Sequence, residues 1–579
     1  MGKFKGVGWI TYALFLLISL NPSHSSAADS TSFGKRLIIR EAGLLSGLTS
    51  IDELRRQARS GEGSETFCKY PASAYLSIDD KKILGELLKD CSDLNEFRQR
   101  VPFQNLSLVF AAEDISSPAS NMGHIFLQVS GKDANGAEQS YGISFLTHIS
   151  GNSVALGYSL LFGGRDGVVT LGPANQEIAK YVDFSKRTVW ISSIDSSHLD
   201  LEFMQLYLWE LRQNPPQYFF IQFNCATFIE HLLSLSSKSE TKKRWYFQTP
   251  RELFSEYADK AVSDVQIHPS VDWFLDALKH QGEDKYAEWA SISNEIFSLE
   301  KGEHLTTSSL LFASHYTEKL RRQKKLEEEV ALARIDYFQR HLKARGGERG
   351  YFVAENVMRP WDYFPPNKLS IGRVGGDVPD DYLVYYRPAA IDIHTEQPMS
   401  FGLQENVLAG SLWSIKRKTG SFRLEQADVF SMSSLKPWSQ INPTLSFRAK
   451  LGFSRMISGQ KQTLVSYKSG LTGRLFDDVL FFGLLGGGVG ERQGVSSASV
   501  GMAEVGVKVN LISGLSLFAT KGWNYWGFSS SRRESLEKVI FHKKISRNYS
   551  VDVSYQSENS SFTENFSAKK FSVSVAKYF

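Results

Sequence analysis

The sequence predicts a multidomain α+β protein that ends in an antiparallel β-barrel. A chain of 579 residues is too long for one hydrophobic core. Its central part carries short strands together with amphipathic helices, which is typical of an α+β domain. From residue 367 to residue 579 the sequence pattern changes to segments in which apolar and polar residues alternate, separated by Gly, Ser, Asn and Asp. That alternation is the pattern of an up-and-down barrel.

The N-terminus predicts export. Lys3 and Lys5 precede an apolar stretch, Val7 to Leu20, and small residues follow up to Ala28. This is the pattern of a secretory signal peptide, residues 1–28, because an apolar core of about fourteen residues is short for a membrane-spanning helix. No cysteine follows the cleavage region, so we do not expect the protein itself to be lipidated there. With 66 basic and 62 acidic residues and no charged tail, a nucleic-acid partner is not indicated.

Residues 29–100 are expected to form a helical N-terminal domain. We interpret residues 66–77 as a turn, in which Pro71 ends the preceding segment. The chain has three cysteines, and Cys68 and Cys91 both fall in this region. In an exported protein they predict a disulfide that leaves Cys225 as a free thiol. The alternative is two reduced cysteines in a core.

The segment around Cys225 has the features of a nucleophile site. Tyr218 to Phe223 is an aromatic, β-favouring run, and Ala226 to Leu233 has the apolar spacing of a helix. Asn224 and Cys225 lie between them, so the cysteine falls in the first helical turn. There the helix dipole and unpaired N–H groups favour a thiolate. The alternative is that Cys225 is a small apolar core residue.

His124 is the candidate base. It follows Gly123 at the start of a predicted strand, and Gly123 permits close approach of another backbone or a ligand. A cysteine nucleophile needs a base, and an imidazole is the usual one. The two residues lie 101 positions apart, so only the fold can bring them together. The alternative for His124 alone is a hydrogen-bonded core histidine.

Domain boundaries follow from the order of these elements. Residues 101–240 read as a small α+β catalytic domain, and residues 241–366 as a helical region. Within that region, residues 314–345 could form one charged helix about 45 Å long at about 1.5 Å per residue. A solvent-exposed charged face is the ordinary explanation for it. The glycine-rich stretch at 163–167 does not have the spacing of a dinucleotide-binding fingerprint.

The C-terminal region, residues 367–579, predicts about 10 to 12 strands. Its last strand places Phe571, Val573, Val575 and Phe579 on one face, and it ends in an aromatic residue. A terminal aromatic on such a strand resembles the assembly signal of bacterial outer-membrane barrels. We therefore expect the barrel to be membrane-embedded. The alternative is a soluble β-sandwich or barrel in the periplasm.

The two catalytic segments also carry a family resemblance. A histidine at a strand start, followed about a hundred residues later by Asn-Cys at a helix start, resembles the permuted NlpC-type, papain-like enzymes, which include lecithin:retinol acyltransferase. The sequence resembles more closely the periplasmic domain family of Lnb, the lipoprotein N-acyltransferase. The similarity covers roughly residues 65–260 and rests on four segments: TFCKYPASAYL (66–76), SSPASNMGHIFLQV (116–129), LLFGGRDGVV (160–169) and LYLWELRQNPPQYFFIQFNCATFIEHLL (206–233). It does not cover the barrel.

The resemblance implies a papain-like catalytic domain in which Cys225 is the nucleophile and His124 its general base. Asn224, or the main-chain N–H of Cys225, would stabilise the oxyanion. A third polar group would orient the imidazole, and the candidates are Tyr141, Ser144 and His148. The implied reaction moves an acyl chain from a phospholipid to Cys225 as a thioester, and then to a lipoprotein amine, a related acceptor or water. We expect no cofactor, and no metal, because the His and Cys spacing matches no zinc motif.

Two other functions stay open at this point. Many NlpC-type enzymes are cysteine peptidases or amidases that act on peptidoglycan. A non-enzymatic outer-membrane barrel with a partner-binding periplasmic domain is the third possibility. The aromatic residues around Cys225 and the expected membrane barrel favour a lipid substrate over a peptide. The expected location is an exported, periplasm-facing catalytic domain anchored in the outer membrane.

Overall fold

The computed structural model of the protein describes residues 64–78, 81–113, 122–147, 164–185, 187–213, 215–220, 223–237, 248–258, 265–270, 307–344, 359–388, 391–395, 397, 403–438, 443–476, 478–492, 495–512, 514–527, 532–561 and 566–579. The predicted signal peptide and His148 lie outside these residues.

Four short helices precede the first sheet: α1 (Ser64–Lys69), α2 (Pro71–Ser77), α3 (Lys81–Leu88) and α4 (Ser92–Arg100). The interpretation of residues 66–77 as a turn is therefore wrong. Pro71 lies in the first turn of α2, where a missing N–H leaves no hydrogen bond unmade, so it begins a helix there. Cys68 and Cys91 form a disulfide with their Cα atoms 5.2 Å apart, which ties α1 to the start of α4.

Seven antiparallel strands then form one sheet in the order β6-β4-β3-β2-β1-β5-β7. The strands are β1 (Asn105–Ala111), β2 (His124–Lys132), β3 (Glu138–Thr147), β4 (Arg165–Pro173), β5 (Val189–Ile194), β6 (Gln217–Tyr218) and β7 (Gln266–His268). The helices are α5 (Ala174–Ala179), which continues into a π-helical turn (Lys180–Phe184), α6 (Leu201–Gln213), α7 (Cys225–Ser236) and α8 (Pro250–Ala258).

The sheet is covered on both faces. Ile125, Leu127 and the other odd-numbered core residues of β2 belong to the main core, together with apolar residues of α6, α7 and α8. Phe126 lies on the opposite face, in a smaller core with Tyr181 of the π-helical turn. This domain extends past the predicted limit at residue 240, because α8 buries Leu253 in the main core and β7 pairs with β5.

The N-terminal helices and the sheet domain are joined by polar contacts. Glu210 of α6 accepts a hydrogen bond from the main-chain N–H of Ser73, at 2.8 Å, in a buried position. Tyr75 donates to Asp200 at 2.9 Å. Burial raises the pKa of Glu210 to about 8, although N–H groups at the start of α2 oppose the shift.

The segment predicted as one long helix at 314–345 is a helical hairpin. Helices α9 (Thr307–Arg322) and α10 (Glu328–Ala344) pack against each other around Leu310, Tyr337 and Phe338. Lys324, with φ of 55°, lies in the connection. Two helices that bury their apolar residues on each other are more stable than one helix that leaves them in water.

The C-terminal region is a closed barrel of twelve antiparallel strands. They are β8 (Lys368–Gly376), β9 (Asp381–Arg387), β10 (Leu403–Ile415), β11 (Phe422–Leu435), β12 (Ser446–Arg455), β13 (Lys461–Phe476), β14 (Val479–Arg492), β15 (Val495–Ile512), β16 (Leu515–Trp526), β17 (Arg533–Ser546), β18 (Tyr549–Ser560) and β19 (Phe566–Tyr578). The last strand, β19, pairs with β8 and closes the barrel.

The barrel is apolar outside and charged inside. The exposed large apolar residues include Ile371, Val465, Leu471, Phe481, Leu485, Val489, Val505, Phe541, Val553, Phe571, Val573 and Val575. Buried charged residues form opposite-sign sets, such as Arg448 and Lys468 with Glu504. This arrangement is that of an outer-membrane-type barrel. Among the described residues, no helix combines the length and apolar character needed for a membrane span.

Residues 391–395, between β9 and β10, lie in the barrel interior. Ile393 packs in an apolar cluster with Leu403 of β10 and Phe518 of β16, which lie on different sides of the barrel. Lys508 of β15 donates hydrogen bonds to the carbonyl oxygens of His394 and Thr395. The segment therefore crosses the lumen.

Candidate active site

Helix α7 begins at Cys225, and Asn224 caps it. The side-chain oxygen of Asn224 accepts hydrogen bonds from the main-chain N–H groups of Ala226 and Thr227, at 2.8 and 3.1 Å. In return, the hydroxyl of Thr227 accepts one from the N–H of Asn224 at 2.7 Å. This reciprocal pair is a capping box, which fixes where the helix starts and so where the thiol lies.

The same contacts change the role expected of Asn224. Its side-chain amide donates to the carbonyl oxygens of Phe220, at 3.2 Å, and Gln248, at 3.0 Å. Both amide hydrogens are thus engaged, and an oxyanion would have to displace a main-chain acceptor to reach them. Of the two oxyanion donors that the sequence offered, the main-chain N–H of Cys225 remains.

The thiol of Cys225 is 3% exposed and not in a disulfide. It accepts hydrogen bonds from the main-chain N–H groups of Ile125, Ala226 and Cys225 itself. Burial raises its pKa to about 11, and the three N–H groups partly oppose that shift. The resting group is therefore a neutral thiol in a pocket that is already arranged to hold a thiolate.

His124 is the first residue of β2, as the sequence predicts. Gly123 before it has φ of +78°, and a Cβ there would lie 2.7 Å from the Phe110 ring, so the chain can turn here only with glycine. The imidazole stacks on the Tyr181 ring, with centroids 5.6 Å apart. Burial lowers its pKa to about 3, with a further contribution from the charge of Arg187.

The start of α7 meets the edge of β2 next to His124. The pairing of β2 with β3 ends at Leu127 and Ile143. Beyond that point Phe145 of β3 stacks on Phe228 of α7, with centroids 4.6 Å apart. The edge of β2 is thereby free to receive α7, and the amide that joins His124 to Ile125 donates to the thiol.

One nitrogen of the His124 imidazole makes no hydrogen bond to a described residue. Its Nε2 is buried, and among the described residues it has no hydrogen-bond partner. A neutral imidazole with an unpaired nitrogen is able to accept a proton. Catalytic hydrogen bonds often form only when substrate is bound.

Arg187 is a residue of the site that the sequence analysis missed. Its buried guanidinium donates to the carbonyl oxygens of Ala112 and Ala111, at 2.5 and 2.7 Å, and lies 5.1 Å from the centre of the Tyr181 ring. Its positive charge lowers the pKa of both His124 and Cys225. It therefore favours a neutral imidazole and a thiolate. An arginine just before a strand carries no signal that would have identified it.

Tyr218 was also missed, because its aromatic segment was read only as a strand former. Its hydroxyl is hydrogen-bonded to both the thiol and the main-chain N–H of Cys225. Its ring packs on Phe145, with centroids 5.2 Å apart. Burial raises the pKa of Tyr218 well above its usual value, so the hydroxyl keeps its proton and can donate it in a hydrogen bond.

None of the three candidates for the orienting group is seen in that role. Ser144 is buried, but its hydroxyl has no hydrogen-bond partner among the described residues. It alternates with Ile143 and Phe145, which face the core that contains Cys225. Ser144 therefore lies on the same face of the sheet as His124, but its hydroxyl makes no hydrogen bond to the imidazole, whose Nε2 has no partner among the described residues. Tyr141 is half-buried, and His148 is not described.

One cluster in the barrel has the residue types of a metal site. Ligand atoms of His394, His542 and Asp552 lie within 4.8 Å of one another. However, the ammonium group of Lys368 lies 3.1 Å from Asp552 and 3.0 Å from Asp392. Because a cation already occupies the position between these carboxylates, the cluster fits a buried ion-pair network better than a metal centre.

Comparison with known families identifies two parts of the chain. Residues 93–256 match the family described as the Lnb N-terminal periplasmic domain. Residues 407–578 match a domain of unknown function, DUF7840. No curated protein matches the sequence.

Comparison with solved structures finds outer-membrane proteins for the barrel. The NanC porin matches with a TM-score of 0.25 and 8% identity, over 37% of this chain and 100% of that one. The KdgM porin in complex with disordered oligogalacturonate gives 0.22 and 9%, over 37% and 99%. A bacterial polysaccharide outer membrane secretin gives 0.23 and 7%, over 38% and 100%. These scores are too low to carry a functional argument.

Proposed function

Because residues 93–256 form an Lnb-type N-terminal periplasmic domain, we propose that this exported protein is a thiol acyltransferase. Cys225 takes an acyl chain from a phospholipid as a thioester and passes it to a lipoprotein amine or a related acceptor. The observation that carries the proposal is the setting of the thiol. The thiol lies at the start of α7 and accepts hydrogen bonds from three main-chain N–H groups. One of them belongs to Ile125 of β2, the residue that follows His124.

The first half-reaction forms the thioester. Nε2 of His124 takes the proton of the thiol, and the sulfur attacks the carbonyl carbon of the phospholipid ester. The main-chain N–H of Cys225 and the hydroxyl of Tyr218 donate to the oxyanion of the tetrahedral intermediate. When the C–O bond breaks, the leaving alkoxide takes the proton back from His124. The products are a lysophospholipid and acyl-Cys225.

The second half-reaction transfers the acyl chain. An amine attacks the thioester carbonyl and loses a proton to His124. The C–S bond then breaks, and the thiolate regains the proton. If water replaces the amine, the same steps release a fatty acid. Exclusion of water therefore decides between transfer and hydrolysis.

Two features support a lipid acyl donor. Tyr218, which is hydrogen-bonded to the thiol, belongs to an aromatic cluster with Phe223 and Phe228 around Phe145. The barrel attached to this domain carries an apolar outer surface, which suits a position in the outer membrane. Such a barrel holds the active site next to phospholipid.

The proposal is tested by product analysis. The purified full-length protein is incubated with phospholipid vesicles and a lipopeptide that has a free N-terminal amine, and lysophospholipid and acylated lipopeptide are quantified. We expect both products from the wild type and neither from Cys225→Ser. Fatty acid in place of acylated lipopeptide would support a hydrolase. Cleavage of peptidoglycan stem peptides without lysophospholipid would contradict the proposal and support a peptidase.

A further inference from the structure

The barrel contacts the chain just before the catalytic histidine. The side-chain amide of Asn406 in β10 donates to the sulfur of Met122 at a distance of 3.5 Å. Both side chains are buried: Met122 is 6% exposed and Asn406 is 0% exposed. Met122 lies two positions before His124. The segment that carries the candidate base is thus in contact with a residue of the barrel.

Protein covers β10 on both sides at this point. Asn406 and Val407 are adjacent and therefore point to opposite faces of the strand, yet Val407 is only 1% exposed. Leu485, on the outer surface of β14, is 70% exposed by comparison. The main chain of Asn406 is also fixed, because it exchanges two hydrogen bonds with Ile391, at 2.9 and 3.0 Å.

The connection between the two domains holds this contact in place. Trp361 packs edge-on against Trp190 of β5, with centroids 5.9 Å apart. Three residues later, Phe364 stacks on Tyr578 of β19, with centroids 4.1 Å apart. One short segment is therefore anchored in the cores of both domains, and aromatic contacts of this kind resist rotation of one domain against the other.

A displacement of Met122 has a direct path to His124. A single residue, Gly123, lies between them, and its positive φ places it against the Phe110 ring and the carbonyl oxygen of Ala111. A Cβ added at this turn would lie 2.7 Å from the Phe110 ring and 3.0 Å from that oxygen, so the described residues pack closely around it. A shift of about 1 Å at a catalytic group is enough to lower a rate by about 100-fold.

We propose that Asn406 and Met122 are positioning residues through which the barrel sets the place of the His124 imidazole. The inference rests on the proposed function for its rate readout. It adds that the barrel contributes to the geometry of the active site as well as to its location. Neither residue touches the reacting atoms.

The test is a double-mutant cycle in the full-length protein. Met122→Ala, Asn406→Ala and the double variant are compared for lysophospholipid release from phospholipid vesicles. We expect each single variant to lower kcat by about 10-fold to 100-fold with little change in KM. Met122→Leu, which keeps the buried volume but not the sulfur, should lose less of the rate than Met122→Ala. The double variant is no slower than the slower single variant, because both changes remove the same contact.

Gln462→Ala is the matched control, since Gln462 is a buried amide in the same barrel at the other end, beside the β12–β13 turn. We expect wild-type kcat for it. Folding of every barrel is checked by its mobility shift between heated and unheated samples on gels. Variants with folded barrels and kcat within twofold of wild type would overturn the inference, as would losses that simply add in the double variant.

A second readout separates this inference from the proposed function. The protein has 12 histidines, and selective ¹³C labelling gives one ring signal for each, with that of His124 assigned by its loss in His124→Gln. We expect this signal to shift in Met122→Ala and Asn406→Ala and to stay in place in Gln462→Ala. If the wild type releases no lysophospholipid, the proposed function fails while this readout still decides the positioning. An unmoved His124 signal contradicts it.

Discussion

The periplasmic domain and the barrel are both built on antiparallel sheets, but the ionisable groups buried at the candidate active site and in the barrel clusters have different neighbours. In the barrel, such groups lie beside opposite charges: Arg448 and Lys468 flank Glu504, and Lys368 bridges Asp392 and Asp552. In the periplasmic domain, burial shifts the pKa of Cys225 and His124, and neither forms an ion pair among the described residues.

These two kinds of surroundings suit different roles. A buried charge with its counter-charge is held in one state and serves the fold. A buried thiol and imidazole that stay neutral can exchange a proton when a substrate arrives, which is what an acid–base pair requires. We therefore propose that the reaction takes place in the periplasmic domain and that the barrel serves for anchoring and positioning. The following predictions test that division.

The largest effect is expected from His124→Gln, which removes the base and keeps a similar volume. Lysophospholipid release should fall by about 10³-fold, within the range for loss of a general base. Because the pKa of His124 is lowered to about 3, its imidazole stays neutral down to that pH. Wild-type kcat/KM should therefore show no histidine titration between pH 5 and pH 8. His198→Gln, on an exposed histidine, is the control and should behave as wild type.

Tyr218→Phe is expected to lower kcat by about 100-fold, as for the loss of one oxyanion donor. Alkylation of Cys225 by iodoacetamide passes through no oxyanion, so its rate should change much less than turnover does. Tyr75→Phe on α2, whose hydroxyl donates to Asp200, is the matched control. Equal losses in alkylation and turnover would show instead that Tyr218 acts on the thiol alone.

Leu485→Arg tests the outer surface of the barrel. Leu485 lies in the middle of β14 and is 70% exposed. An arginine on a lipid-facing position near the membrane centre costs about 2–4 kcal/mol, falling to about 0–1 kcal/mol near the interfaces. Denaturant unfolding in phospholipid vesicles should show that loss for Leu485→Arg. Tyr549→Arg, at the first residue of β18, should show a much smaller one. Equal stability of Leu485→Arg and wild type argues against lipid contact.

The last prediction is a pH dependence of stability and concerns Glu210, which joins α6 to the N-terminal helices. Its pKa is raised from 4.5 to about 8 in the folded protein. The folded state therefore binds a proton that the unfolded state has lost, and stability should fall by about 1.4 kcal/mol per pH unit between those two values. Thermal unfolding at pH 5, 7 and 9 should show this trend for wild type and a flatter one for Glu210→Gln. Glu202→Gln, on the same helix but half-exposed, should keep the wild-type trend.

The sequence predicted elements whose signals are local. The helix start at Cys225 follows from Asn224 and the apolar spacing after it, and the strand start at His124 follows from Gly123 and the alternating residues. The barrel was predicted because its alternation repeats over many segments. In each case the responsible interactions lie within a few residues of one another.

Contacts between distant segments could not be predicted. Arg187 is held at the site by a hydrogen bond to a carbonyl oxygen of β1. Tyr218 is brought to Cys225 by the turn before α7. Asn406 reaches Met122 from another domain. Residues 314–345 were predicted to form one helix because the charged residues around Lys324 are compatible with a helix. The structure instead has a connection there, in which Lys324 has a positive φ. Pairing of this kind depends on where the chain folds back, which residue patterns do not encode locally.

The central claim is that Cys225 carries the acyl chain. Intact mass spectrometry of the full-length protein after incubation with phospholipid and no acceptor tests it most directly. The account predicts that the wild type gains the mass of one fatty-acyl group, that hydroxylamine removes it, and that peptide mapping places it on Cys225. Cys225→Ser should gain no hydroxylamine-sensitive mass. Lysophospholipid release without any such adduct on the wild type, or with the same adduct on Cys225→Ser, would contradict a thioester at this residue.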